Sequence, residues 1–135
     1  MIKLIIFDGE GVLYSAKETV RIFEREYDEF LRKFGVSLEE QAKLWFKFYP
    51  KTVTGKISLR EANKKIFKKL GIPTSKVNEW LKQDKINWLK HTKLNKEVKK
   101  LLSKLRKKGI KVAILSDTVH PFEVEARTFQ KIWLS

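Results

Sequence analysis

Hydrophobic positions along the chain follow two rhythms. Leu4-Ile5-Ile6-Phe7 is an unbroken apolar run that leads into Asp8-Gly9-Glu10-Gly11-Val12-Leu13. A short run of this kind, closed by glycines, predicts a buried strand. The rhythm then changes. Val20, Phe23, Tyr27, Phe30, Leu31 and Phe34 recur at the spacings of one helix face, and Gly35 follows as the stop. Ser37-Leu-Glu-Glu40 and Ser58-Leu-Arg-Glu61 are capping boxes that open a second and a third helix. The second carries Leu44, Trp45, Phe46 and Phe48, with Pro50 to Lys56 expected as a loop. The third ends near Gly71. A fourth starts at Thr74 or Ser75 and passes through Trp80, Leu81 and Leu89. Asn95 opens a fifth, with Val98, Leu101, Leu102 and Leu105 on one face and Gly109 as its stop. Ile110 to Leu115 is a second apolar run, ending in Ser116-Asp117-Thr118. His120-Pro121 opens a last helix with Phe122, Ala126, Phe129 and Ile132.

Two strands that read as buried on both faces imply a parallel pairing covered by helices. The helices between them are too many for a single crossover. The expected organisation is an α/β core formed by residues 1–15 and 93–135, with residues 16–92 inserted as a helical lobe. The chain is predominantly helical overall.

Composition adds limits. A length of 135 residues allows one domain, or a small core with an insert. There is no cysteine, which excludes disulfides, zinc-thiolate sites and thiol chemistry. No apolar run is long enough to span a bilayer and no signal-peptide pattern opens the chain. A cytoplasmic, membrane-free protein is the simplest expectation. The formal charge is +14, from 30 basic and 16 acidic residues. Lysines such as Lys96, Lys99, Lys100, Lys104, Lys107 and Lys108 read as a solvated helix face. Attraction to phosphorylated molecules or nucleic acid is the alternative, but no nucleic-acid motif accompanies the charge.

The candidate chemistry lies where the strands end. Ligands of open α/β sheets bind beyond the carboxyl ends of the strands. Asp8 and Glu10 follow the first strand, and Ser116 follows the second. One carboxylate can attack while its neighbour transfers protons. The plainer alternatives are a polar turn for the two acids and a loop or capping hydroxyl for Ser116. Asp117 and Thr118 read as caps of the last helix. His91 and His120 read as surface or capping residues without metal-ligand spacing. The block Trp45, Phe46, Phe48, Tyr49 reads as lobe core or, alternatively, as a surface turned toward substrate or partner.

Phe7-Asp8-Gly9-Glu10-Gly11-Val12-Leu13 resembles the first motif of the haloacid dehalogenase superfamily, an apolar strand followed by Asp-x-Asp-Gly-Thr/Val-Leu. Val112-Ala113-Ile114-Leu115-Ser116-Asp117 is similar to its second motif, a strand ending in Ser or Thr. The resemblance implies a Rossmann-like core with a helical cap between these motifs. It implies that Asp8 is a nucleophile forming an aspartyl-phosphate, that Ser116 binds the phosphoryl oxygens, and that residue 10 is the general acid/base. It also implies Mg²⁺, held by the Asp8 carboxylate and the backbone carbonyl of Glu10, and a phosphorylated small molecule as substrate.

Two departures qualify the resemblance. Glu10 stands where the family's phosphatases carry Asp. It keeps the acid, which argues against the dehalogenase branch, but adds a methylene, and misplacement by about 1 Å can cost roughly 10²-fold in rate. Only 19 residues follow Ser116. The family's third motif, a lysine, and its fourth, acidic metal ligands, would lie farther on. Lys131 sits on the predicted last helix and is not given the lysine role. The expectation is therefore a partial, C-terminally truncated core, with one strand edge open to a second copy or a complementing chain. Three functions stay open: a Mg²⁺-dependent phosphatase by lineage, a non-catalytic remnant that assembles with itself or a partner, and a basic nucleic-acid-binding protein.

Overall fold

The computed structural model describes residues 1–14, 16–117 and 130. The chain runs β1 (Leu4–Phe7), α1 (Ala16–Arg32), α2 (Leu38–Val53), α3 (Leu59–Leu70), a 3₁₀ turn at Thr74–Lys76, α4 (Val77–His91), α5 (Lys96–Lys107) and β2 (Lys111–Ile114). The result is a partial α/β core with two strands and a helical majority. The predicted last helix, with His120 and Lys131, lies outside the described residues.

β1 and β2 pair in parallel, with Leu4 opposite Lys111 and Phe7 opposite Ile114. The Leu115 N–H donates to the Phe7 carbonyl at 2.9 Å, so the ladder continues one step beyond the strands. Alternation then sorts the side chains. Ile5, Phe7, Val112 and Ile114 meet α5 through Leu102 and Leu105. The opposite face carries Leu4, Ile6 and Leu115, which are 50%, 56% and 74% exposed. Among the described residues no element packs on that face, where the sequence reading expected both faces covered. An unbroken apolar run hides the alternation, because both faces carry the same residue type.

The helices close a second cluster around Phe30 and Leu31 of α1, Ile66 and Phe67 of α3, and Val77 and Trp80 of α4. Their ends follow the predicted signals. Ser37 and Ser58 each accept from the N–H three residues on, and Glu40 and Glu61 accept from the cap N–H groups. Asn95 caps α5 by accepting from the Glu97 N–H at 3.0 Å. α3 ends at Gly71, whose φ of 72° is left-handed and would strain any residue with a Cβ. Buried Ile72 follows, and its N–H returns to the Phe67 carbonyl at 2.9 Å.

α4 also differs from its sequence expectation. Thr74–Lys76 forms a separate 3₁₀ turn before the helix proper. A string of rings joins the two clusters. Tyr14 meets Trp88 at 5.8 Å between centroids, Trp88 meets Phe23 at 5.6 Å, and Phe23 meets Tyr27 at 6.0 Å. Tyr27 then packs on Trp80 at 4.7 Å.

The expected loop from Pro50 to Lys56 is a second correction. α2 runs through Pro50 to Val53. Proline in a helix interior removes one backbone bond and costs about 3 kcal/mol. Here the carbonyl that loses its donor belongs to Phe46, which is 70% exposed, so water can serve it. The Thr52 hydroxyl donates to the Phe48 carbonyl at 3.0 Å and the Thr54 hydroxyl to the Pro50 carbonyl at 2.7 Å. These side chains reinforce the last turn, while Trp45 and Phe48 anchor the helix on the lobe core.

Candidate active site

The turn after β1 is built to project acids. The Gly9 carbonyl accepts from the Leu13 N–H at 2.8 Å, and the Gly11 N–H donates to the Tyr14 carbonyl at 3.0 Å. Gly11 has a φ of 78°. This fold of the chain buries Leu13 and Tyr14 beneath the turn and leaves Asp8 and Glu10 exposed. Its far end is pinned, because the Asn95 N–H donates to the Leu13 carbonyl at 2.7 Å. The Gly9 N–H donates to Asp8 Oδ1 at 2.7 Å and orients that carboxylate.

The second strand delivers Ser116 to the same place. A Cβ placed on Gly9 would lie 2.6 Å from Ser116 Oγ and 3.1 Å from its Cβ. Only glycine permits so close an approach of backbone to side chain. The first motif and Ser116 are therefore in contact, although Gly9 and Ser116 stand 107 positions apart in sequence. Asp8, Glu10 and Ser116, the residues singled out in sequence, all line one cavity of about 340 Å³. Gly11, Tyr49 and Asp117 complete its described lining.

Two of those lining residues were not assigned to a site in sequence. Asp117 read as a helix cap, but it forms part of the cavity wall beside Ser116. Tyr49 sat in the aromatic block of α2, and the structure divides that block. Trp45 and Phe48 pack on the lobe core, Phe46 is exposed, and Tyr49 reaches the cavity. Only the alternative reading of the block, as a substrate-facing surface, pointed toward Tyr49. His91, expected at the surface, is instead mostly enclosed between α4 and α1, with Nε2 3.4 Å from Glu26 Oε1. It is away from the cavity and lines no part of it.

The cavity is acidic within a strongly basic chain. Its described lining holds three carboxylates, from Asp8, Glu10 and Asp117, and no Lys or Arg. An anionic substrate would meet repulsion there unless a cation intervened. The donors are all oxygen, which suits a hard divalent cation. Among the described residues no three His, Cys, Asp or Glu side chains gather as a metal cluster. Mg²⁺ does not need such a cage, because it keeps several waters and uses one or two carboxylates together with substrate phosphate. The residues present fit that ion.

Residues 2–128 match the family model for haloacid dehalogenase-like hydrolase. The chain belongs to this hydrolase family. No curated protein matches the sequence. Membership accounts for the order of elements, with both motif loops on the strand-side cluster and helices inserted between them. Among the described residues no helix is long and apolar enough to cross a membrane.

Proposed function

We propose that this haloacid dehalogenase-like hydrolase cleaves phosphate monoesters through a covalent intermediate on Asp8. The observation that carries this reading is the contact between the first-motif turn and Ser116, which gathers Asp8, Glu10 and Ser116 around one cavity. In the first step a carboxylate oxygen of Asp8 attacks phosphorus and the bond from phosphorus to the leaving oxygen breaks. The Glu10 carboxyl gives that oxygen its proton. In the second step the Glu10 carboxylate takes a proton from water, the water oxygen attacks phosphorus, and the bond to Asp8 breaks. Ser116 donates a hydrogen bond to a phosphoryl oxygen in both steps. The Asp8 carboxylate and the Glu10 backbone carbonyl would hold Mg²⁺. Bound there, the ion supplies positive charge between the carboxylates and the phosphoryl group. In this reading residues 16–92 act as the cap, residues 1–15 and 93–135 as the core, and the cysteine-free chain works in the cytoplasm.

The test is hydrolysis of 4-nitrophenyl phosphate with and without Mg²⁺. Turnover should require the ion and vanish in Asp8→Asn. Hydrolysis that survives that substitution, or no hydrolysis at all, would sink the proposal.

The bare sheet face favours a second reading, in which the chain is non-catalytic and assembles through Leu4, Ile6 and Leu115. Apolar residues this exposed on one face mark interaction surfaces. A second copy or a complementing chain would cover them. A particle of monomer mass in light scattering that binds no hydrophobic dye would remove this reading. A third, nucleic-acid binding, has only the net charge behind it.

A further inference from the structure

The cavity divides its labour by origin. Asp8, Glu10 and Gly11 come from the first turn, and Ser116 and Asp117 from the second. Every one of these residues is small or acidic. Tyr49 alone comes from the inserted helices, and it brings the one aromatic ring among the described lining residues. Tyr49 is 37% exposed. Trp45 packs against it edge-on, at 5.7 Å between centroids and 69° between planes. Trp45 and Tyr49 both lie in α2, four residues apart, so they share one helix face.

We infer that Tyr49 is the specificity residue of this cavity, its ring packing on a leaving group that has a flat, apolar face. The inference rests on the phosphate-ester reading and adds the class of ester: aryl or heteroaryl phosphates over small aliphatic ones. If the two motif loops engage the phosphoryl group, the wall left for the rest of the substrate among the described residues is Tyr49. A volume of about 340 Å³ lies at the small end of ligand sites and suits a phosphate with a single ring system. An aromatic face rewards a planar partner beyond the area it buries.

Binding can be separated from turnover in the Asp8→Asn background, whose amide oxygen can still ligate Mg²⁺, by calorimetric titration in the presence of the ion with phenyl phosphate and with inorganic phosphate. Phenyl phosphate should bind about tenfold more tightly than inorganic phosphate. Adding Tyr49→Ala should erase that difference and leave inorganic phosphate binding unchanged, whereas Tyr49→Phe should keep it. Should the alanine variant lose its helical circular dichroism, Tyr49→Gln removes the ring but keeps a long side chain to pack on Trp45, and is read the same way. Equal affinities in the Asp8→Asn parent, equal weakening of both ligands, loss of the preference in Tyr49→Phe, or no binding of either ligand would each overturn the assignment. Hydrolysis by the unmodified chain is scored separately. The binding pattern without hydrolysis keeps Tyr49 and defeats the hydrolase proposal, and hydrolysis without the pattern does the reverse.

Discussion

Around Phe67 the large side chains of the helical lobe are closed in, with Leu31, Ile66 and Phe67 itself fully buried. Around Phe7 the strands cover one face and leave Leu4, Ile6 and Leu115 in the open. The helical side holds its ends with two capping boxes and its centre with ring-on-ring contacts. The strand side holds the acids, the serine and the cavity. Stability is thus concentrated in one region and candidate chemistry in the other. Exposed carboxylates on a glycine turn add little packing, while a closed aromatic core offers nothing to a substrate. Tyr49 is the exception, a lobe residue that serves the cavity.

The sharpest way to separate the two regions is Asp8→Asn. It should lower hydrolysis by about 10⁴-fold or more while stability changes by less than about 0.5 kcal/mol, compared by urea titration. Phe67→Ala is its counterpart in the lobe and should cost about 3–5 kcal/mol. The ring string from Tyr14 to Trp80 predicts that this loss spreads. Hydrogen exchange should quicken in β1 as well as in α3, and a β1 that stays protected would divide the molecule into independent halves.

Gly9→Ala tests the contact between the motif loops. Its Cβ would fall 2.6 Å from Ser116 Oγ, and the forced shift should cost about 10²-fold in kcat/KM. Unchanged kinetics would mean that the close approach of Gly9 to Ser116 is not needed for turnover.

Tyr27→Phe acts on the seam between α1 and α4, where the Tyr27 hydroxyl donates to the Asp84 carboxylate. It should cost about 1–3 kcal/mol at neutral pH. Burial, with Asp84 beside it, pushes the Tyr27 hydroxyl well above its ordinary range. The folded state therefore keeps a proton that the unfolded state releases. The extra stability is complete below about pH 10 and falls above it by about 1.4 kcal/mol per pH unit. Denaturation of parent and variant between pH 9 and 11 should converge.

Ser58→Ala should have the smallest effect, about 1 kcal/mol through the lost cap of α3. The Ser58 N–H and hydroxyl hold the Glu61 carboxyl below its ordinary range. That contribution is present at neutral pH and disappears as acid protonates Glu61 below about pH 4. A thermal midpoint that does not move would show that the cap is redundant.

Much of this was legible in the order of residues. The capping boxes at Ser37 and Ser58, the Asn95 cap and the glycine stop at Gly71 act over a single turn of chain, so local sequence carries them. Asp8, Glu10 and Ser116 were legible because both strands are short apolar runs that end in polar groups. The path through Pro50 was not, because the penalty for proline is offset by packing of Trp45 and Phe48 on residues distant in sequence. The bare sheet face was hidden for a related reason. Leu4 and Ile6 look like Ile5 and Phe7, and only the position of α5 tells the two faces apart.

The sequence by itself determined the family, the capped starts of α2, α3 and α5, the glycine stop of α3, and the identity of the two acids and the serine, since these are written in short stretches of chain. Tertiary structure alone decided that Gly9 makes room for Ser116, that Asp117 joins the wall, and that Tyr49 leaves its aromatic block for the cavity. Those outcomes depend on how segments scores of residues apart pack, and on which side of a helix or strand then faces the gap between them.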